Sequence, residues 1–158
     1  MEPIRIPKTI LERLESEAWR RGLSVEEYII ELLYKDLSPR DKACGYFDAA
    51  KDYLDRAFDD IKKGNIRSAA DKVWKAATIA LRATAHLNNV KINSYGDIWK
   101  YTEKLSKKYG DWFRNAWFSA VAMYVCSYED WCDRGDVKVA HSEVSKMVAK
   151  LEANTSKR

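Results

Sequence analysis

Proton-transfer chemistry has few places to reside in this chain of 158 residues. The two histidines, His86 and His141, are the side chains whose ordinary pKa lies nearest neutrality, and so the natural general acids or bases. His86 falls near the end of an alanine-rich helical stretch, where an imidazolium would complement the helix dipole. His141 borders an apolar stripe of Val137, Val144 and Val148, which suits a packed, hydrogen-bonded ring. Asp59 and Asp60 are adjacent, so on a helix they point in different directions and do not form an acid/base pair. No glycine-rich phosphate loop and no G-x-S-x-G elbow is present. Cys44, Cys126 and Cys132 are odd in number and lack metal-ligand spacing. Neither a disulfide framework nor a zinc site is expected, and free thiols fit a reducing cytoplasm. No metal and no cofactor is implied. Trp112, Trp117, Tyr124, Tyr128 and Trp131 have the chemistry to stack bases, but their helical spacing points to a packed core. Lys104, Lys107, Lys108 and Arg114 form the densest basic group, which reads as a solvated face or a phosphate contact.

The elements that must position these groups are mostly helices. Only three prolines and six glycines interrupt a chain that is 46% hydrophobic. Ile4-Arg5-Ile6-Pro7 reads as a short strand. An amphipathic helix then runs to Arg21, and Gly22 breaks it. Ser24 and Glu27 form an S-x-x-E capping box that starts a second helix to Leu37. Ser38-Pro39 opens a long helix to about Lys63. Gly64-Asn65 separates it from an alanine-rich helix, Ile66 to Leu87, whose small residues let neighbours approach closely. Ser94 and Asp97 begin a shorter helix to Lys108. An aromatic helix spans Asp111 to Asp133, and Gly135-Asp136 opens the last one.

The chain is thus expected to be all-α. Residues 1–37 form a strand–helix–helix arm, residues 38–153 an antiparallel bundle of four long helices plus one short one, and residues 154–158 a frayed tail. A lone strand needs a partner for its backbone groups, which predicts pairing with a second copy. The formal charge is +4, but residues 1–37 hold six Lys/Arg against eight Asp/Glu. That distribution works against strong DNA binding by the arm, because phosphate contacts supply most of such affinity. No apolar run is long enough to span a membrane. A signal peptide is not expected, because charges interrupt the N-terminus.

The arm resembles the ribbon-helix-helix family. The matching residues are Ile4-Arg5-Ile6-Pro7, Leu11-Glu12-Arg13-Leu14 and Arg20-Arg21-Gly22-Leu23-Ser24-Val25-Glu26-Glu27-Tyr28-Ile29. The resemblance implies an obligate dimer with paired strands in a DNA groove. Arg5 would read bases, and Ser24 with its neighbouring N–H groups would bind a phosphate. Outward strand positions in that family normally carry two or three polar readers; here Arg5 alone is well placed, and a dimerisation handle or a helical hairpin packed on the bundle is the plainer reading.

Residues 39 to 152 resemble the HEPN helical domains, and within that neighbourhood the archaeal PaREP family. The resemblance rests on Ala50, Tyr53, Leu54, Ala57 and Phe58, on Gly64-Asn65-Ile66-Arg67-Ser68-Ala69-Ala70, on Trp74-Lys75-Ala76-Ala77 and on Ala80-Leu81-Arg82-Ala83. It implies a dimerising bundle. Some such domains are metal-independent ribonucleases, and others bind nucleotides or partner with nucleotidyltransferases. The ribonuclease pair would fall on Arg134 and His141, which have six residues between them. Arg134 would hold the phosphate and His141 would move the proton. The commoner spacing places the Arg where Asp136 stands. On a continuous helix the observed step spans about 10.5 Å, so a bend at Gly135 would be needed. The expectation is a cytoplasmic, homodimeric, non-catalytic binding module engaging nucleic acid, a nucleotide or a partner protein, with RNA cleavage by Arg134 and His141 as the alternative.

Overall fold

Local signals set the helix boundaries in the computed structural model, which describes residues 3–156. All regular structure among the described residues is helical: α1 (Lys8–Arg20), α2 (Val25–Leu33), α3 (Pro39–Lys63), α4 (Ile66–Leu87), α5 (Tyr95–Tyr109), α6 (Asp111–Glu129) and α7 (Arg134–Ser156). The Ser24 hydroxyl accepts from the Glu27 N–H at 3.1 Å, and the Glu27 carboxylate accepts from the Ser24 N–H at 3.0 Å, a complete capping box for α2. Ser38 and Ser94 cap α3 and α5 in the same way through their hydroxyls. Gly64 ends α3 at φ 81°, a left-handed conformation that only glycine adopts at little cost.

Helix α4 packs against α3, α6 and α7, which contribute most of the rest of the core, with Ile98, Tyr101 and Leu105 added by α5. Its Ala69, Ala70, Ala76, Ala77, Ala80 and Ala83 are fully buried, so neighbouring backbones come close on several sides. Helices α1 and α2 pack on each other. The Tyr34 ring, just after α2, lies so close over Gly45 of α3 that any added Cβ there would collide with it.

Three expectations change. First, residues 3–7 form no strand; Ile4, Arg5 and Ile6 are exposed and irregular. A strand needs a second edge, and within one chain these residues find none. Second, Cys126 and Cys132 are joined in a disulfide, leaving Cys44 as an exposed free thiol. Helix α6 stops at Asp130, whose φ of 52° turns the chain back, and that reversal carries Cys132 to Cys126. Cysteine usage therefore no longer points to a reducing compartment. Third, the aromatic helix ends at Glu129 and the last helix starts at Arg134. Asp133 and Asp136 exchange backbone-to-carboxylate hydrogen bonds of 2.9 Å across this start. At the other end α7 continues to Ser156, so Asn154 and Thr155 are helical; Lys157 and Arg158 lie outside the described residues. Among the described residues no helix is long and apolar enough to cross a membrane.

Candidate ligand site

The S-x-x-E turn brings Ser24 and Glu27 against α4, where Asp71, Trp74, Lys75, Thr78 and Arg82 recur at three- and four-residue steps and so share one face. Tyr95 and Ile98 of α5 and Tyr124 and Tyr128 of α6 complete a half-open cavity of about 220 Å³. One part of it is aromatic. Trp74 and Tyr124 have ring centroids 4.9 Å apart, Tyr95 and Tyr124 6.0 Å, and Tyr124 and Tyr128 5.0 Å. Trp117 backs Trp74 at 5.4 Å from within the core. At the rim, the Arg67 guanidinium donates to the carbonyls of Ser127 and Tyr128, which fixes the end of α6.

The other part is ionic. Glu27 and Arg82 are each only 5% exposed. The Glu27 carboxylate lies 3.5 Å from Arg82 Nε and accepts from the Thr78 hydroxyl at 3.2 Å. Arg82 Nη1 donates to the Ile92 carbonyl at 3.3 Å. Two ions removed from water together in this way hold each other in place, because either alone would be left buried and unpaired. Nearer the opening, Lys75 meets Asp71 at 3.0 Å and Glu26 at 3.5 Å. Burial by itself would lower the Lys75 pKa, but the two carboxylates outweigh it and hold it above the ordinary lysine value. Lys75 is therefore a cation near neutral pH and not a base. Burial, with the neighbouring Tyr128, pushes the Tyr124 phenol up, so it stays a neutral hydroxyl. The lining holds neither histidine nor cysteine. Stacking, hydrogen bonding and charge recognition are what this arrangement supplies.

The residues singled out from sequence are dispersed. Ser24 lines the cavity, but its hydroxyl is engaged in the cap, and the Glu27 carboxylate occupies the anion position at the start of α2. Arg5 sits in the irregular lead. Arg134 is the exposed first residue of α7, with its guanidinium beside Gly64. His141 is half-buried: its Nε2 donates to the Leu54 carbonyl at 2.8 Å and its ring lies 5.9 Å from Phe58. Helix α7 runs unbroken through Gly135, so Arg134 and His141 are two turns apart, about 10.5 Å of rise. The other histidine, His86, stacks on buried Tyr46 at 5.1 Å.

Sequence reading missed Trp74, Tyr95 and the Glu27–Arg82 pair. The signal was there in part: a tryptophan and an arginine stand among alanines on the most buried helix, where nothing bulky or charged fits without a dedicated space.

The Gly45–Val148 segment, roughly two thirds of the chain, matches the family model described as the archaeal PaREP1/PaREP8 family. The chain belongs to that family. Neither a curated protein nor a solved structure matches it. In this PaREP1/PaREP8 protein the matched span supplies every wall of the cavity except Gly22, Ser24 and Glu27, which precede it. The family region thus builds the cavity and the arm closes one side.

Proposed function

We propose that the protein is a helical binding module whose site is the aromatic cavity beside the Glu27–Arg82 pair, and that its ligand carries a nucleobase, as a nucleoside or nucleotide. We infer further that α3, α4, α6 and α7 are the four long members of a HEPN-like antiparallel bundle, with α5 the short one. The observation that supports the binding reading is the convergence of Trp74, Tyr95, Tyr124 and Tyr128 on one opening next to buried polar groups. Aromatic faces stack any base at about 1–3 kcal/mol each. The volume of about 220 Å³ is below the roughly 300 Å³ at which drug-sized pockets begin, which suits a single ring system. Calorimetric titration of the full chain with adenosine, guanosine, cytidine and uridine tests this. Tyr128→Ala, at an exposed rim position, should weaken binding roughly tenfold or more while leaving the fold intact. Absence of binding by all four nucleosides would refute the reading.

A second reading, self-association through the arm, is favoured by one observation. Ile10, 51% exposed, and Leu32 line one groove between α1 and α2, and Leu11, Leu33 (72% exposed) and Leu37 are exposed on the same segment of chain. Clustered apolar exposure of this kind marks interaction surfaces. A homodimer is the assembly we infer; a nucleic-acid strand or a nucleotidyltransferase-type protein is the other class of partner. Light scattering should give twice the chain mass, reverting to one with Leu33→Lys and Ile10→Glu. A wild-type particle of single mass at high concentration would contradict it.

A further inference from the structure

Arg82 also lines a second, more polar cleft of about 340 Å³, built from the start of α3, the end of α4 and residues 89–93. Lys42, Arg82, His86 and Lys91 converge on it from three separate stretches of chain, and Glu31 of α2 stands at one edge. Among the described residues neither Lys42 nor Lys91 has a carboxylate within 4 Å, while the Arg82 charge is matched by Glu27 on its other flank. The ends of two helices also meet here. The last carbonyls of α4 would repel an anion, but Thr84, Ala85 and His86 already accept from the N–H groups of Asn88, Val90 and Asn89. Pro39, the first residue of the 25-residue α3, is on the wall, so the start of that helix adjoins the space, although Ser38 already accepts from the Asp41 and Lys42 N–H groups and Asp41 stands in the first turn. Burial first, and then the charges of Lys42 and Arg82, hold the His86 pKa below its ordinary value. Facing it from α3, Tyr46 is a buried phenol whose pKa burial and Glu31 push up, so it adds no charge.

We propose that this cleft binds a phosphate-class oxyanion, either inorganic phosphate or the phosphate of a monoester, through Lys42, Arg82 and Lys91, with His86 as a fourth contact. Glu31 opposes the anion and tunes its affinity. The site shares Arg82 with the aromatic cavity but does not depend on a nucleobase binding there. Lys42, Lys91 and Glu31 are partly or fully exposed and lie outside the core, so their variants keep the fold.

The test is titration of the full chain at low salt with inorganic phosphate and with glycerol 3-phosphate, read by thermal shift and by the His86 ring resonances. A saturable rise in melting temperature is expected, together with an upward shift of the His86 pKa. Lys42→Ala and Lys91→Ala should each weaken binding roughly three- to tenfold, and Glu31→Gln should tighten it by a similar factor. The tighter of the two anions identifies the source, free phosphate or monoester. Sulfate, whose charge is constant between pH 5 and 8, should bind more tightly as pH falls through the His86 titration. Adenosine should not displace any of these anions. No saturable response at tens of millimolar phosphate would overturn the proposal. So would unchanged affinity in both Lys91→Ala and Glu31→Gln, whatever becomes of nucleoside binding.

Discussion

Arg82→Met tests whether the buried ion pair is what fastens the arm to α4. The substitution keeps most of the side-chain volume but leaves the Glu27 carboxylate, 5% exposed, without its cation. Breaking a buried pair from one side costs about 3–5 kcal/mol. Glu27 keeps the Ser24 N–H and the Thr78 hydroxyl, which places the cost near the lower end, about 3 kcal/mol. Glu27→Gln preserves the shape of the cap and leaves Arg82 with the Ile92 carbonyl, so about 2 kcal/mol is expected. Combining them removes both charges, and the double variant should lose about 3 kcal/mol instead of 5, a coupling of about 2 kcal/mol. Urea denaturation followed by circular dichroism measures all four corners of the cycle. For a chain of this size Arg82→Met should melt about 6–12 °C early. Additivity within about 0.5 kcal/mol would refute the reasoning, because it would mean that the two side chains do not depend on each other.

Reducing the Cys126–Cys132 disulfide, or Cys132→Ser, reopens a short loop and should cost about 2 kcal/mol by chain entropy, with a melting temperature lowered by about 4–8 °C; a change under about 1 °C would contradict this. For Asp60, burial alone would raise the pKa, but the hydrogen bonds from Lys72 and Ser68 prevail and hold it below the ordinary value. The pair's stabilisation is therefore complete above about pH 4 and is lost as pH falls further through the folded-state value. Acid unfolding of Asp60→Asn should show a shallower dependence there, and an unchanged acid limb would remove the pair from the account. His141→Ala loses the hydrogen bond to Leu54 and its packing on Phe58, and should destabilise by about 1–2 kcal/mol in urea. In an RNA cleavage assay with EDTA, wild type and His141→Ala should behave alike; metal-independent cleavage abolished by the substitution would favour catalysis by Arg134 and His141 instead.

Those parts of the fold whose causes are local were legible in the sequence. Ser24 with Glu27, Ser38 with Pro39, Gly64, and Ser94 with Asp97 each announce a helix boundary, and each works as a boundary through its own backbone geometry. The alanine stripe pointed to α4 as the helix that neighbours approach closely, for a steric reason, and α4 is the helix that contacts α3, α6 and α7. What was not legible depends on tertiary placement. Ile4-Arg5-Ile6 has strand character, but a strand forms only where a second edge is available. Cys126 and Cys132 look unrelated until Asp130 reverses the chain. Tyr124 and Tyr128 follow a helical period that indicates packing, but Tyr128 is exposed, and the position of Trp74 and Tyr95 makes the two tyrosines part of a lined opening. Glu27 reads completely as a capping residue, and its second role becomes visible when Arg82 arrives from a helix 55 positions later.

Whether the aromatic opening holds a base can be read directly from the six tryptophan indole N–H resonances of isotopically labelled protein during a nucleoside titration. The account predicts a progressive, saturable shift of Trp74, with the exposed Trp19 and Trp131 unmoved. A titration that moves Trp19 or Trp131 and leaves Trp74 in place, or moves none of the six, would contradict it.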